Sequence, residues 1–500
     1  MHKVLTQIHV APNCDQQFQD MLSAYLASCG HLAEGYRDPA TSGRFVLCET
    51  FLTEHAAQTY HSTTAVSNWH ADLVPFTTAI TVLAPIHTDA RPVPLAKPSD
   101  SFELNHDGLA TAISMMTTPP RSQPVSVLPD RLPTRSIGDE GALATLAGIV
   151  LGNAARLGGP TSLAHMDPPT PWITWATTMW NASLNQNLLH PDTAPAARDI
   201  EKRVIDWLVP LFGMDGGHMV PGSTLANLTA LWAARDLTGA TCVVASETAH
   251  LSIAKSAHLL GMRFVPVPTL PDGRIDPTAL PDSVSDSVLV LTAGATSTGA
   301  IDDLSIMKRA KWCHVDAAWA GPLVLSKRYK SRLSGIENAH SIAISAHKWF
   351  FQPKESALVL FRSTAKAHAA LIFGGAYLAT PNIGILGSHG ATAVPLLATL
   401  LAWGRDGMAS HIDTAMTTIE TLFTQLTADK RTQCFGPPTT GVLLWKPTQA
   451  DFETVRLHLP PGLASVTKVE DQDWFRQVAA NPLAQVALIW DAIDRALETQ

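Results

Sequence analysis

The sequence has little of what proteins that bind nucleic acid or cross membranes need. Its 500 residues carry a formal net charge of −8, so it lacks the basic surplus that attracts nucleic acid or an anionic membrane. No run approaches the roughly 18 apolar residues of a membrane span, and we expect the best candidate, residues 143–155, to be a buried helix. The N-terminus alternates like a strand and has no apolar signal-peptide core.

Cysteine is also scarce and scattered. The absence of a CxxC pair or a close group argues against a zinc site or a disulfide framework, so we expect a cytoplasmic protein without a structural metal. The six cysteines are Cys14, Cys29, Cys48, Cys242, Cys313 and Cys434. Apolar residues make up 46% and charged residues 16% of the chain, which is typical of a well-packed globular protein. A chain of this length predicts two or three domains.

The first 90 residues alternate between short strand and helix patterns. Strand–helix–strand–helix–strand is predicted at residues 4–10, 16–28, 44–51, 54–61 and 78–85. This order in so short a stretch indicates a ferredoxin-like α+β domain. Prolines then recur from residue 85 to 133, which predicts an extended linker and arm over residues 91–135.

From residue 136 onward, helical and short strand patterns alternate over a much longer stretch. Helices are predicted at residues 225–235 and 252–260, and strands at residues 240–246, 264–267, 287–293 and 312–315. This rhythm predicts a mostly parallel sheet with helices on both faces, in a large α/β domain over residues 136–380. A long helix at residues 391–403 and the alternation after it predict a smaller C-terminal α+β domain over residues 381–500.

Four motifs of the large domain lie where predicted strands end, which is where open α/β sheets bind ligands. The first is PGSTLAN, in which Ser223 and Thr224 open an apolar helix. The unpaired N–H groups and partial positive charge of a helix N-terminus suit a phosphate dianion. The alternative is an ordinary hydroxyl cap of the helix.

The second motif, TAHLSIAK, places His250 just after a strand, where its imidazole could stack on a planar ring. The alternative is a structural histidine, since the chain has 20 histidines. The third motif, HVDAAWAG, ends a buried strand with Asp316. A buried carboxylate needs a partner, and a protonated pyridine nitrogen would be one. The alternative is a strand-end aspartate that caps the next segment.

The fourth motif, SAHKWFFQP, sets Lys348 between apolar and aromatic residues. Burial favours the neutral amine, which is the form that attacks a carbonyl to give a Schiff base. The alternative, a lysine that extends to the surface along an apolar stem, fits poorly with aromatic neighbours.

HVDAAWAG followed by SAHKW resembles the group II pyridoxal-phosphate (PLP) decarboxylases, whose architecture is the aminotransferase-like fold type I. The resemblance runs from about residue 141 to the C-terminus and includes HMDPPT, PGSTLANLTAL and LTAGATSTGAIDDL. It implies a PLP-dependent L-amino-acid decarboxylase that releases CO₂ to give an amine.

The resemblance also implies roles for individual residues. Lys348 would hold the cofactor, Asp316 would pair with the pyridine nitrogen, and His250 would stack on the ring and face the substrate. The family forms homodimers with active sites at the interface, so Ser388 would reach the neighbouring subunit's phosphate. Ser223 and Thr224, assisted by His347, would bind the phosphate of the cofactor. Thr296 and Ala318 would line the cofactor pocket.

The reaction and the substrate stay open in the sequence. Tyr377 is the candidate proton donor to the substrate carbon, with a core or lid role as the alternative. If no tyrosine reaches that carbon, an oxygen-dependent aldehyde synthase becomes possible, and a carbon–carbon lyase is a further alternative. His389 stands where relatives often carry arginine. LNQN and FFQP favour a small polar substrate such as 2,4-diaminobutyrate, whereas AAWAG also occurs in aromatic amino-acid decarboxylases.

Residues 36–76 resemble antibiotic biosynthesis monooxygenase (ABM) domains, which are ferredoxin-like and usually dimeric. His61 falls where such domains often carry a histidine, but Val66 and Ser67 replace a second common one. The resemblance implies a dimerisation or docking unit, with catalysis as the alternative. A hypothesis of another class is a PLP-fold scaffold whose ABM-like unit acts in binding or oxygenation.

Overall fold

The computed structural model describes residues 2–11, 14–28, 32–37, 44–51, 77–86, 102–376, 378 and 382–498. The chain divides into two compact units, Met1–Ala154 and Ala155–Gln500. In the described part, no helix combines the length and the apolar character that a membrane crossing requires.

The N-terminal unit contains a four-stranded antiparallel sheet. Its strands are β1 (His2–Val10), β2 (Leu32–Arg37), β3 (Arg44–Phe51) and β4 (Thr77–Ile86), in the spatial order β2-β3-β1-β4. Helix α1 (Asp15–Ser28) follows β1. This order and the antiparallel pairing of every neighbour agree with the predicted ferredoxin-like arrangement.

The sequence prediction missed β2, because LAEGYR has too little apolar alternation to stand out as a strand. The buried side chains of Phe18 on α1 and Phe45 on β3 pack with ring centroids 4.7 Å apart, so the helix covers one face of the sheet. The predicted second helix at residues 54–61 and His61 itself lie outside the described residues. The resemblance to ABM domains therefore stays a prediction.

The proline-rich stretch is less extended than the sequence predicted. Between Pro98 and Pro119 it forms helix α2 (His106–Thr117), which Asn105 caps by accepting a hydrogen bond from the Gly108 N–H at 2.9 Å. None of the α2 residues is buried, which agrees with the predicted lack of a packed core.

The apolar run that we expected to be a buried helix forms α3 (Gly138–Val150). Only Ala147 and Gly148 of this helix are buried, so that expectation was wrong for most of its length. Apolar content by itself does not place a helix in a core, because burial requires a partner surface.

The second unit is built on a seven-stranded sheet in the order β5-β11-β10-β9-β8-β6-β7. Its strands are β5 (Gly216–Val220), β6 (Cys242–Ser246), β7 (Arg263–Val267), β8 (Val288–Thr292), β9 (Trp312–Asp316), β10 (Ser341–Ser345) and β11 (Ala357–Phe361). Only β11 runs against its neighbours. Every residue of β9, β10 and β11 is buried, as expected for strands covered on both faces.

Helices surround this sheet and lead into the C-terminal part. They are α4 (Trp172–Leu184), α5 (Ala197–Leu208), α6 (Ser223–Thr238), α7 (Leu251–Leu259), α8 (Thr364–Leu371) and α9 (Ala393–Ala428). The predicted long helix at residues 391–403 is the first part of α9, which continues past a break at Gly404, where φ is 59°. A two-stranded pair, β12 (Ile372–Phe373) and β13 (Asn382–Ile383), precedes α9.

The C-terminal part contains a four-stranded antiparallel sheet in the order β14-β15-β17-β16. Its elements are β14 (Thr432–Cys434), β15 (Val442–Pro447), α10 (Phe452–His458), β16 (Ser465–Val469), β17 (Gln472–Val478) and α11 (Val486–Glu498). The predicted α/β fold, with a mostly parallel sheet and a smaller C-terminal α+β part, is therefore confirmed.

Two tryptophans in contact with each other connect the large sheet to the C-terminal sheet. Trp319 follows β9 and Trp349 follows β10, and their ring centroids are 4.1 Å apart. The Trp319 indole N–H donates to the Thr440 carbonyl at 2.6 Å, and the Trp349 indole N–H donates to the Ala479 carbonyl at 2.7 Å. Both rings are fully buried, so these contacts fix the loops at the ends of the two strands.

Candidate active site

The predicted site residues converge at one edge of the seven-stranded sheet. Asp316 ends β9, and Lys348, His250 and Ser223 follow β10, β6 and β5, which run in the same direction. The Asp316 carboxylate acts electrostatically on both Lys348 and His250, and Lys348 acts on His250. The structure therefore brings these three residues together at the carboxyl ends of the strands, where such sheets bind ligands.

Lys348 lies in the turn after β10, and its side chain is partly buried. Burial lowers the pKa of Lys348, and the opposing attraction of Asp316 and Asp167 does not restore it. In the described part of the chain, no carboxylate lies within ion-pair distance of its Nζ atom. The amine is thus held inside the protein in an environment that favours its neutral, nucleophilic form.

Asp316 is 5% exposed, and both of its carboxylate oxygens accept hydrogen bonds. The Asn227 side-chain amide donates to Oδ2 at 2.9 Å, and the Ala318 backbone N–H donates to Oδ1 at 3.1 Å. The second contact shows that Asp316 also caps the segment after β9. Each oxygen retains a further lone pair, so the carboxylate can accept another N–H.

His250 is the N-cap residue of α7, and its Nδ1 accepts a hydrogen bond from the Ser252 backbone N–H at 3.2 Å. The Ser252 hydroxyl also lies 2.8 Å from Nδ1. Burial lowers the pKa of His250, more than the nearby Asp316 raises it. The histidine is therefore both a cap and a neutral ring close to Lys348.

Helix α6 begins at Ser223, and its N-cap is Gly222, with φ of 99°. No side chain caps this helix, so the hydroxyl cap that was the alternative interpretation of Ser223 and Thr224 does not occur. In the described residues, the backbone N–H groups of Ser223 and Thr224 donate to no protein acceptor. The free N–H groups, the hydroxyls and the helix dipole form a cradle for an anion.

His347 lies beside Lys348, and its Nδ1 donates to the Ser356 carbonyl at 3.0 Å. Burial lowers the pKa of His347 to about 4. In the neutral ring the proton is then on Nδ1, so Nε2 can donate to an anion only if a second proton is added. Ala318 is buried and Thr296 is exposed beside the site.

Arg476, on β17, is a functional candidate that the sequence interpretation missed. It is 8% exposed, and its Nε donates to the Thr296 carbonyl at 2.7 Å. Within the described ranges it forms no ion pair with a carboxylate. Burial lowers the pKa of Arg476 to about 10, and its charge acts on Lys348. A signal was present, since an arginine in the apolar strand WFRQV is unusual.

Asp167, from the HMDPPT motif, provides a second carboxylate near Lys348. It forms an ion pair with Lys354. Burial opposes its ionisation, but Lys354, His165 and His347 outweigh burial and lower the pKa of Asp167. The site therefore contains a charged carboxylate that is about half-buried.

The predicted roles of two residues, Tyr377 and Ser388, stay open. Tyr377 lies outside the described residues. Ser388 is exposed, and its hydroxyl accepts a hydrogen bond from the Asn187 side-chain amide at 3.1 Å. No contact joins Ser388 to Lys348 within the described chain, which leaves its predicted role towards a neighbouring subunit open.

The amine, the carboxylate and the N–H groups of this site match the chemical groups of PLP. A partly buried amine without an ion-pair partner in the described chain matches the aldehyde, a buried carboxylate with free lone pairs matches the pyridinium N–H, and the α6 cradle matches the phosphate. By contrast, the described residues contain no group of three or more His, Cys, Asp or Glu side chains that could hold a metal ion.

Comparison with known proteins indicates the same cofactor. Residues 156–443, more than half of the chain, match the model of the pyridoxal-dependent decarboxylase conserved domain. An L-2,4-diaminobutyrate decarboxylase of Rhizobium meliloti (strain 1021) is 29% identical over 416 residues, covering 74% of this chain and 84% of that protein. Another, from Acinetobacter baumannii, is 29% identical and covers 46% of this chain and 54% of that protein.

Solved structures show the same fold. The glutamate decarboxylase domain of a Vibrio parahaemolyticus diaminobutyrate-pyruvate transaminase and L-2,4-diaminobutyrate decarboxylase aligns with a TM-score of 0.69 at 21% identity, over 80% of this chain and 99% of that one. Oryza sativa TDC with PLP and tryptamine aligns with a TM-score of 0.71 at 19% identity, over 79% of this chain and 98% of that one. The chain therefore belongs to the pyridoxal-dependent decarboxylase family and is a PLP-dependent amino-acid decarboxylase.

Proposed function

We propose that Lys348 binds the aldehyde of PLP and that Asp316 keeps the pyridine nitrogen protonated. PLP, when bound, accepts the electron pair that remains on the substrate when CO₂ leaves. The observation that carries this assignment is the partly buried Lys348 amine within electrostatic reach of the buried Asp316 carboxylate. His250 packs against the ring, and the N–H groups of Ser223 and Thr224 bind the phosphate.

Replacing Lys348 with Ala should abolish CO₂ release and the visible absorption band of bound PLP, because no other amine is held at this position. The matched control is Lys366→Ala, since Lys366 is an exposed lysine on α8, and it should keep both properties. Absorbance of the purified enzyme after addition of PLP measures the first effect and CO₂ release the second. A wild-type band that survives in Lys348→Ala would contradict the assignment.

The α-carboxylate of the substrate needs a cationic partner, and Arg476 supplies it in our proposal. Support comes from its burial without an acidic partner, its contact with Thr296 and its electrostatic action on Lys348. A guanidinium can bind a carboxylate through two parallel hydrogen bonds, which would fix the orientation of the bond that breaks.

Arg476→Met should raise KM for the amino acid by about tenfold to a hundredfold, since a hydrogen bond to a charged group contributes about 1.5–3 kcal/mol. Arg476→Lys should restore part of the loss through its charge. The visible band of bound PLP should persist in both variants, because Arg476 is assigned to the substrate. A purely structural role would instead lower thermal stability and leave KM unchanged.

We propose a small substrate with a cationic side chain, best represented by L-2,4-diaminobutyrate. The support is the charged Asp167 carboxylate near Lys348, together with the similarity to the Rhizobium meliloti decarboxylase. A side-chain ammonium would compete with Lys354 for Asp167. An aromatic substrate would leave that carboxylate without a new partner.

A screen of 2,4-diaminobutyrate, ornithine, aspartate, glutamate, tyrosine and tryptophan should give the highest kcat/KM for 2,4-diaminobutyrate. Asp167→Asn should lower that value by tenfold or more, a loss of about 1.4 kcal/mol, and should barely affect uncharged substrates. CO₂ should form without ammonia or peroxide. Ammonia and peroxide formed together with CO₂ would indicate the aldehyde synthase, and a preference for tyrosine or tryptophan would refute the substrate assignment.

We also propose that the enzyme is a homodimer, with Ser388 reaching the partner's phosphate site. Helix α4 supports this because it leaves a run of large apolar side chains exposed, a feature typical of subunit interfaces. These side chains are Trp172, Trp175, Met179, Trp180 and Leu184, which are between 40% and 69% exposed.

Light scattering should give the mass of two chains for the wild type. Trp175→Glu combined with Met179→Glu should shift it towards one chain, because the interface would bury two new charges. The control is Leu457→Glu, which changes an exposed leucine on α10 and should remain dimeric. A single-chain mass for the wild type would exclude the proposal.

A further inference from the structure

A buried polar residue of α6, Asn227, links Asp316 to two histidines. Asn227 is 0% exposed, and its Nδ2 donates both to Asp316 Oδ2 and to the Ser252 hydroxyl, each at 2.9 Å. Its Oδ1 lies 2.9 Å from Nε2 of His314. Both N–H groups and one oxygen lone pair of this side chain are therefore used inside the protein.

The orientation of the Asn227 amide follows from chemistry. An ionised carboxylate only accepts hydrogen bonds, so the NH₂ group of Asn227 must face Asp316. The carbonyl oxygen then faces His314, which must place a proton on Nε2 to donate to it. The opposite orientation would set an amide oxygen against a carboxylate in a buried site, where repulsion is strongest.

The contacts of the other ring nitrogen of His314, Nδ1, agree with a proton on Nε2. Its Nδ1 lies 2.9 Å from the Ser341 hydroxyl, which in turn accepts a hydrogen bond from the Trp312 indole N–H at 3.0 Å. The hydroxyl is thus free to donate to Nδ1. Burial lowers the pKa of His314 to about 4, so the ring is neutral and carries its single proton on Nε2.

The second branch of this network runs from Asn227 through Ser252 to His250. It determines which ring nitrogen of His250 carries the proton. Because the Ser252 hydroxyl accepts from Asn227, it donates its own proton to His250 Nδ1, 2.8 Å away. The Ser252 backbone N–H also donates to this nitrogen. Two donors on Nδ1 leave the ring proton of neutral His250 on Nε2.

We infer that Asn227 is a positioning residue that fixes the proton pattern of the cofactor site. Through one branch it keeps Asp316 an ionised acceptor for the ring nitrogen, and through Ser252 it keeps the His250 proton on Nε2. His250 thereby presents a donor where the substrate binds. The inference rests on the proposed assignment of Asp316 and His250 to the cofactor and deepens it.

The test compares variants that break one branch or both. Asn227→Leu keeps the branching and the number of heavy atoms and breaks both, whereas Ser252→Ala breaks only the branch to His250. The readouts are the ¹⁵N NMR signal of PLP labelled at the ring nitrogen and the separate values of kcat and KM. The control is Thr229→Val, because the buried Thr229 hydroxyl on the same helix has no hydrogen-bond partner in the described chain.

Asn227→Leu removes the side-chain amide that donates to Asp316 Oδ2, so the ¹⁵N signal of the ring nitrogen paired with Asp316 should move towards the value of an unprotonated ring. The value of kcat should fall by tenfold or more with little change in KM. Ser252→Ala should lower kcat but leave the ¹⁵N signal unchanged, and adding it to Asn227→Leu should lower kcat no further. Thr229→Val should match the wild type in both readouts.

A wild-type ¹⁵N signal and kcat in Asn227→Leu would overturn the inference, as would equal ¹⁵N shifts in Ser252→Ala and Asn227→Leu. A loss of thermal stability without either change would assign Asn227 to folding alone. Asp316→Asn distinguishes a wrong cofactor role for Asp316 from a wrong positioning role for Asn227. If it leaves the ¹⁵N signal unchanged, the assignment of Asp316 itself fails. If it moves the signal and Asn227→Leu does not, only the inference about Asn227 fails.

Discussion

The organisation of the site depends on keeping the Asp316 carboxylate ionised inside the protein. A carboxylate removed from water carries a large desolvation cost unless hydrogen bonds and an opposite charge offset it. Here a side-chain amide and a backbone N–H supply the hydrogen bonds. The pyridinium of bound PLP would supply the opposite charge in the proposed function. The polar groups around Asp316 are thus part of the core and of the site together.

The sheet and the tryptophan pair make this arrangement rigid. Because β9 and β10 are parallel neighbours, Asp316 and the turn that carries Lys348 leave the sheet side by side. The indole N–H groups of Trp319 and Trp349 then attach both turns to backbone carbonyls of the C-terminal part. Catalytic groups held by packed rings keep their geometry better than groups on free loops. The small C-terminal part is therefore needed for the site as well as for the fold.

Charge is distributed unevenly through the site. Arg476 extends from β17 to the Thr296 carbonyl beside Lys348, and the α6 N-terminus adds a partial positive charge. Burial keeps His250, His314 and His347 neutral, so they act as oriented donors and acceptors with no net charge. The site therefore offers cationic groups to an anion, and Asp167, which forms an ion pair with Lys354, adds a negative charge.

The sequence by itself determined the elements and residues that local patterns encode. Apolar runs ending in polar motifs predicted the strands of the large sheet. The resemblance carried by HVDAAWAG and SAHKW implied the cofactor and the reaction class, which the family match confirms. The confirmation extends to the fold, since the predicted mostly parallel sheet and smaller C-terminal part are both present.

Only the tertiary structure decided which distant residues complete the site. Asn227 is a polar residue within an apolar helix and Arg476 lies in an apolar strand, and neither pattern indicates a partner on another element. Strand β2 was missed because its local pattern is weak and pairing with β3 supplies the rest. Helix α2 was missed because the prolines on both sides of it predicted an extended segment. Local sequence sets periodicity and chemistry, whereas hydrogen bonds between residues far apart in the chain depend on strand order and packing, which no short pattern encodes.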